Sequence, residues 1–242
     1  MLQITNNRVE TIYKDLDLID FQEAWDYQET IFSAILDHKR KENKDNSAKP
    51  KPMKNHLIFC EHPHVYTLGR SGKESNLLIN EDLLRSKGAT FYKINRGGDI
   101  TYHGPGQIVG YPVFDLELFQ IGVKEYINAL EECIIKTLMH FKLYTSRLNG
   151  ATGVWLDTHN PVKARKICAI GVRASRYVTM HGFALNVNTD LSFYNYINPC
   201  GFVDKGVTSM QKELNTLIKP EDVKSALKDA FKSIFNINYL PE

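Results

Sequence analysis

The chain has 242 residues, which is long enough for one large domain or two small ones. Hydrophobic residues make up 43% and charged residues 24%, so neither a disordered chain nor a fibrous repeat describes the whole sequence. The net charge is only +2, the apolar runs are short, and residues 1–14 lack a basic segment followed by an apolar one. We therefore expect no membrane span, no secretory signal and a cytoplasmic location.

The first predicted elements are a strand, a long helix and a second strand. Residues 9–15 have the pattern of a strand, and Asp20 followed by Glu23 has the spacing of a helix N-cap with a capping box. Apolar residues then recur at helical spacing over 21–37. The apolar run 57–60 is typical of a buried strand.

The net basic excess of the chain lies in residues 39–55, between the predicted helix and the second strand. This segment holds seven Lys or Arg and two Asp or Glu, so its charge is +5 and the rest of the chain carries −3. It has two prolines and no aromatic residue, which predicts an inserted, mobile surface loop. A polybasic arm for an acidic partner is the alternative. Because the basic excess is confined to this loop, we expect no nucleic-acid partner and no membrane partner.

The rest of the chain alternates short strands with helices. Residues 61–73 are rich in turn formers, and Gly88 marks the end of a short helix. The pattern predicts helices at 81–87, 123–141, 209–214 and 221–235, and strands at 90–94, 108–114, 151–156, 166–173 and 179–187. The late strands follow at hairpin-like intervals. The sequence therefore predicts an α+β fold in one domain, 1–242, with mixed, mostly antiparallel sheets flanked by helices.

Residues 96–107, RGGDITYHGPGQ, form the densest motif. Four glycines and a proline bend the backbone through conformations that side chains would forbid, and such a loop can bring N–H groups close to a ligand. The motif matches neither phosphate-binding glycine pattern, so it does not predict a nucleotide site. In an extended backbone Thr101 and His103 face one side and Tyr102 the other. A plain turn and a ligand site both remain open.

Four cysteines are too few for a disulfide scaffold, so we expect reduced thiols. Cys60, Cys133 and Cys168 lie in apolar strands or helices and are predicted to be core residues. Cys200 lies in an Asn–Pro–Cys–Gly turn, where a thiol gains little from packing, and is a candidate nucleophile. A thiolate needs a nearby cation. Lys166, which opens an apolar strand, could supply it by pointing into a pocket, or could simply reach solvent.

Histidines give no convincing metal motif. His62 and His64 flank a proline and lack a third ligand at suitable spacing, so we predict no metal site. His181 precedes Gly182 between two predicted β segments. It could line a pocket or satisfy a backbone carbonyl.

Two long blocks of the sequence resemble the signatures of the lipoyl(octanoyl) transferases. They are RGGDITYHGPGQIVGYPVFDL, residues 96–116, and RKICAIGVR followed by VTMHGFALNVNTDLSFYNYINPCG, within residues 165–201. DLDLIDFQEAW at 15–25 and HPHVYTLGR at 62–70 are similar to the N-terminal half of the family. The resemblance covers nearly the whole chain apart from the basic loop.

The resemblance implies the fold of the biotin and lipoate protein ligases and assigns roles to particular residues. Cys200 would be the acyl-thioester nucleophile and Lys166 its partner. Cys168 replaces a smaller residue and would add a competing thiol near the site. The implied substrate-binding residues are Arg96, Gly97, Gly98, Asp99, Ile100, Thr101, Tyr102, His103, Ala169, Ile170, Gly171, Gly182, Phe183 and Ala184.

The implied reaction moves an octanoyl or lipoyl group from acyl carrier protein to a lysine of lipoyl domains. The acceptors would be the 2-oxoacid dehydrogenases and the glycine cleavage H protein. Exchange of one thioester for another costs little, and amide formation is downhill, so the resemblance implies no ATP, no metal and no other cofactor. The nearest alternative is an ATP-dependent lipoate or biotin protein ligase. A non-enzymatic alternative is an acyl-carrier-binding scaffold that uses the basic loop.

Overall fold

The structure is a computed structural model that describes residues 8–42, 53–198 and 206–240. The described strands are β1 (Val9–Leu18), β2 (Asn55–Glu61), β3 (Val65–Leu68), β4 (Thr90–Lys93), β5 (Ile100–His103), β6 (Gln107–Val113), β7 (Ser146–Leu148), β8 (Ala151–Leu156), β9 (Arg165–Ser175), β10 (Val178–Asn186), β11 (Gly206–Val207) and β12 (Ile237–Leu240). The α-helices are α1 (Phe21–Glu42), α2 (Glu81–Ser86), α3 (Leu116–Phe119), α4 (Val123–His140), α5 (Met210–Leu214) and α6 (Pro220–Phe235).

The strands form two sheets. The large sheet has the order β12-β1-β2-β6-β10-β9-β8-β7, and β11 pairs with β9. The small sheet has the order β4-β3-β5. Strand pairs of both directions occur, and antiparallel pairs predominate among the described residues. The structure confirms the predicted α+β class with mixed sheets and flanking helices.

Alternating side chains divide the large sheet into two buried faces. On one face Phe59, Ile108 and Phe183 join the cores of α4 and α6. On the other face Val109 and Ala184 pack with residues of α1. Because both faces are covered, the central strands β6 and β10 are buried at every position. Among the described residues, we find no helix with the length and apolarity needed to cross a bilayer.

The ends of the predicted basic loop belong to regular elements. Residues 39–42 continue α1, and Asn55 begins β2; residues 43–52 lie outside the described part of the chain. Basic residues favour the end of a helix because its exposed carbonyls carry partial negative charge. Lys39 is also buried, with its Nζ 2.6 Å from Asp115 Oδ1 and 2.9 Å from Glu117 Oε2. The prediction of a loop starting at residue 39 was therefore wrong at both boundaries.

The Lys39–Asp115 pair gives a test of this correction. The side chains are only 9% and 11% exposed, so Lys39→Ala leaves a buried carboxylate without its cation. We expect a loss of about 3 kcal/mol in the free energy of unfolding. Urea denaturation measures it, with the exposed Lys41→Ala as the matched control, for which we expect a change within about 0.5 kcal/mol. Equal effects of the two substitutions would show that the buried ion pair contributes nothing to the free energy of unfolding.

Candidate functional site

A cavity of about 500 Å³ lies between the two sheets. On the large sheet its wall includes small residues of two neighbouring strands: Ala169 of β9 is opposite Ala184 of β10, and Gly171 is opposite Gly182. Thr101 and His103 of β5 line it from the small sheet. Because these four paired residues have little or no side chain, they leave room between the sheets. The volume suits a small organic ligand.

Thirteen of the fourteen residues that the resemblance assigns to substrate binding line this cavity. The exception is Tyr102. Its side chain lies on the opposite face of β5, where its hydroxyl is 2.7 Å from His64 Nδ1 and its ring stacks on Phe193 at a centroid distance of 5.0 Å. Tyr102 is fully buried there and does not line the cavity. As predicted, Thr101 and His103 point to one side of β5 and Tyr102 to the other. Because the cavity lies on the side of Thr101 and His103, Tyr102 is not part of its wall.

Arg96 and Gly97 connect the loop 96–99 to both sheets through hydrogen bonds. The Arg96 guanidinium donates to the carbonyl oxygen of Thr67 at 2.7 Å and to its hydroxyl at 3.0 Å. The Gly97 N–H donates to the carbonyl of Val172 on β9. A Cβ on Gly171 would lie 2.9 Å from the Gly97 carbonyl oxygen, which is too close. Glycine at residue 171 therefore permits the close approach of the loop to β9.

Lys166 lines the cavity because β9 contains a bulge. Val154 is opposite Cys168, whereas the next residue of β8, Trp155, is opposite Lys166. Ile167 is thus the extra residue, and it reverses the alternation of side chains beyond it. Without the bulge, Lys166 would share a face with Cys168. With it, Lys166 shares the cavity face with Ala169.

The other predicted catalytic residue, Cys200, lies outside the described residues, as do its immediate neighbours. The chain on either side of that gap is close to the cavity. Before it, the N–H of Asn198 donates to the carbonyl of Asn76, whose amide donates to the cavity residue Asp99 at 2.6 Å. After it, Val207 lines the cavity and pairs with Lys166.

The three other thiols are buried in the core, as predicted. Cys168 belongs to the core on the α4 and α6 side of the large sheet and does not line the cavity. Burial raises the pKa of Cys60, Cys133 and Cys168, which disfavours their thiolates. The expectation that Cys168 adds a competing thiol near the site was therefore wrong, since its Sγ faces away from the cavity.

A polar network at the cavity wall escaped the sequence analysis. His103 donates from Nδ1 to Gln107 Oε1 at 2.8 Å, and Gln107 Nε2 donates to Asn186 Oδ1 at 2.9 Å and to the Tyr194 hydroxyl at 3.2 Å. His103, Asn186 and Tyr194 line the cavity. Gln107 and Asn186 are opposite each other on paired strands, and patterns in a single sequence do not reveal strand pairing. The sequence therefore offered no signal for this network.

Buried histidines near the cavity are neutral. The pKa of His103 and of His181 is lowered to about 3, and that of His62 to about 4, mainly because burial disfavours the imidazolium form. His181 lines the cavity and donates from Nε2 to Asn95 Oδ1 at 2.9 Å. His62 accepts from the Tyr111 hydroxyl at 2.7 Å. The cations of the described lining are consequently Arg96 and Lys166.

Known proteins share both the sequence and the fold. Residues 20–232 match the family described as the lipoyl protein ligase A/B catalytic domain. Octanoyltransferase of Parabacteroides distasonis is 56% identical over 223 residues, covering 92% of this chain and 97% of the relative. Octanoyltransferase of Cytophaga hutchinsonii is 51% identical over 236 residues, covering 96% of each chain.

Among solved structures, a bipartite lipoate protein ligase from Thermoplasma acidophilum is similar with a TM-score of 0.67. The alignment covers 97% of this chain and 87% of that one at 14% identity. A lipoate-protein ligase A bound with ATP has a TM-score of 0.63, with 98% and 89% of the chains covered at 13% identity. These likenesses show a common fold. The family match and the close relatives together show that this chain belongs to the lipoyl protein ligase A/B catalytic-domain family.

Proposed function

We propose that this chain is an octanoyltransferase that moves an octanoyl or lipoyl group from acyl carrier protein to a lysine of a lipoyl domain, through a thioester at Cys200. The whole chain acts as one catalytic domain in the cytoplasm. The observation that carries the proposal is the bulge at Ile167, which directs the Lys166 side chain into the cavity. The described residues on both sides of the Cys200 segment lie close to the same cavity. The acceptors are lipoyl domains of 2-oxoacid dehydrogenases and the glycine cleavage H protein.

The first half-reaction exchanges one thioester for another. The Cys200 thiolate, with the Lys166 ammonium as its counter-ion, attacks the carbonyl carbon of the octanoyl carrier. The carbonyl carbon forms a bond to Sγ and loses its bond to the carrier sulfur. The ammonium gives its proton to the departing carrier thiolate, so a neutral carrier thiol leaves and Lys166 becomes a neutral amine.

The second half-reaction forms the amide. The acceptor lysine attacks the Cys200 thioester as its neutral amine, and Lys166 takes the proton that the new amide nitrogen loses. The Cys200 thiolate leaves, which restores the starting ion pair. Protons therefore balance over the cycle without ATP, and carrier and acceptor bind in turn.

The cavity lining suits the hydrocarbon tail of an acyl group. Small and apolar groups such as Ile94, Ala169, Val172 and Ala184 line it, while its polar groups include Thr101 and Asn186. An apolar wall favours the hydrocarbon tail because burial removes it from water. The glycine loop 96–99 matches no nucleotide-phosphate pattern. An apolar wall fits the tail of either enzyme's substrate, so the support for the transferase comes from the relatives: those of 56% and 51% identity are octanoyltransferases, whereas the lipoate ligases share only the fold at 13–14% identity.

Intact-mass analysis after mixing with octanoyl-acyl carrier protein tests the proposal. We expect one added octanoyl group, mapped to Cys200, absent in Cys200→Ala and retained in Cys168→Ala. The Cys168 substitution is the matched control because that thiol is buried on the other face of the sheet. Acceptor modification by free octanoate with ATP and Mg²⁺, without a Cys200 adduct, would identify a ligase instead. Unchanged function in Cys200→Ser would favour the scaffold.

A further inference from the structure

Strand β8 places an aromatic ring against the Lys166 ammonium. Lys166 Nζ lies 4.7 Å from the centroid of the Trp155 ring, within the range of a cation–π contact. Trp155 is 2% exposed, and its Nε1–H donates to the Ala151 carbonyl at 3.0 Å. Packing and this hydrogen bond fix the orientation of the ring. Its face is thus a preformed surface for a cation.

Gly153, two residues earlier on β8, lies beneath the stem of the same lysine. A Cβ at Gly153 would be 3.4 Å from Lys166 Cε and 3.5 Å from Cδ, and 2.6 Å from the Cys168 carbonyl oxygen. Gly153 has φ +122°, which side chains rarely adopt. Its N–H donates to Glu131 Oε1 at 2.9 Å. The distances to the lysine stem are ordinary van der Waals contacts, so it is the φ of Gly153 and the close Cys168 carbonyl that require glycine here. The lysine stem packs over this anchored backbone.

We propose that Trp155 is a positioning residue for Lys166: its indole face holds the ammonium at the cavity wall, while the aliphatic stem packs over the backbone of Gly153. This inference rests on the proposed function, because it gives Lys166 its task beside Cys200. A lysine has four rotatable side-chain bonds, so an unguided amine would sample many positions. The indole ring attracts the ammonium and not the neutral amine. Trp155 thus supports Lys166 in the state that stabilises the Cys200 thiolate.

A double-mutant cycle tests whether Trp155 acts through Lys166. The readout is the rate at which iodoacetamide alkylates Cys200 across pH 6–9, followed by mass spectrometry of its peptide, since thiolate is the reacting form. We expect Trp155→Leu to slow alkylation at pH 7 about tenfold, and Trp155→Phe, which keeps an aromatic face, by no more than about threefold. In the Lys166→Ala background, Trp155→Leu should change the rate by less than about twofold.

Phe119→Leu is the matched control for loss of a buried ring. Phe119 is fully buried in the main core and does not line the cavity, so its truncation should leave the pH profile of alkylation unchanged. An equal slowing by Trp155→Leu with and without Lys166 would overturn the inference. An equal slowing by Trp155→Leu and Trp155→Phe would also overturn it, because the aromatic face would then be irrelevant.

The proposed function and this inference fail separately. Absence of an octanoyl adduct on wild-type Cys200 rejects the transferase mechanism. The alkylation cycle needs no acyl donor and reports only the coupling between Trp155, Lys166 and the thiol. If wild-type Cys200 forms the octanoyl adduct but the effects of Trp155→Leu and Lys166→Ala on alkylation are additive, only the positioning role of Trp155 is rejected.

Discussion

Lys166→Ala should reduce octanoyl transfer by about a thousandfold, because in the proposed mechanism the lysine is both the counter-ion and the proton carrier. The side chain is partly exposed to the cavity and its strand is held by pairing on both sides, so the substitution should preserve the fold. Steady-state transfer from octanoyl-carrier to a lipoyl domain measures the loss. Circular dichroism and thermal unfolding check that the structure persists.

Lys166→Arg separates the two tasks of the lysine. In the proposed mechanism an arginine would keep the positive charge of the counter-ion but would not lose its proton at neutral pH. We expect the acyl adduct on Cys200 to form in this variant, with transfer to the acceptor still reduced by at least about a hundredfold. Lys163→Ala is the matched control because Lys163 is exposed three residues before Lys166. Turnover in Lys166→Ala equal to that of Lys163→Ala would remove Lys166 from the mechanism.

The elements that the sequence predicted well are those with a clear period. Helix α4 was predicted within one residue, since its apolar residues recur at helical spacing. Strands β3 and β5 were missed as strands. Both have only four residues beside glycine or proline, and β3 is buried on both faces, so neither shows a long alternating pattern. Their pairing into the small sheet is a tertiary feature.

The same distinction applies to the site. The cavity residues of the glycine loop and of β9 and β10 were implied by the family resemblance of two contiguous motifs. Asn186 and Tyr194 were not, because they bond Gln107 only through the pairing of β6 with β10 and the packing of the 3₁₀ helix Leu191–Tyr196. The resemblance assigned Lys166 to the site, but the residues alone left open whether its amine enters a pocket or reaches solvent. A one-residue bulge decides which face of the sheet receives the amine, and a single-sequence pattern does not show the bulge.

Acid should begin to destabilise this protein as the pH falls through about 6.5, the ordinary pKa of histidine. The pKa values of His62, His103 and His181 in the folded state are about 4, 3 and 3, against about 6.5 in an unfolded chain. Between these values the unfolded state binds more protons, so the stabilisation is complete above about pH 6.5 and declines as the pH falls. We expect each histidine to cost about 2 kcal/mol of unfolding free energy between pH 7 and pH 5.

Urea denaturation at pH 7 and pH 5 measures this loss, and His103→Gln should reduce it by about 2 kcal/mol. A glutamine can still donate to Gln107 but takes up no proton in this range. The exposed His140→Gln is the control, and its pH dependence should equal that of the wild type. Equal pH dependence in His103→Gln would contradict the assignment of a neutral His103.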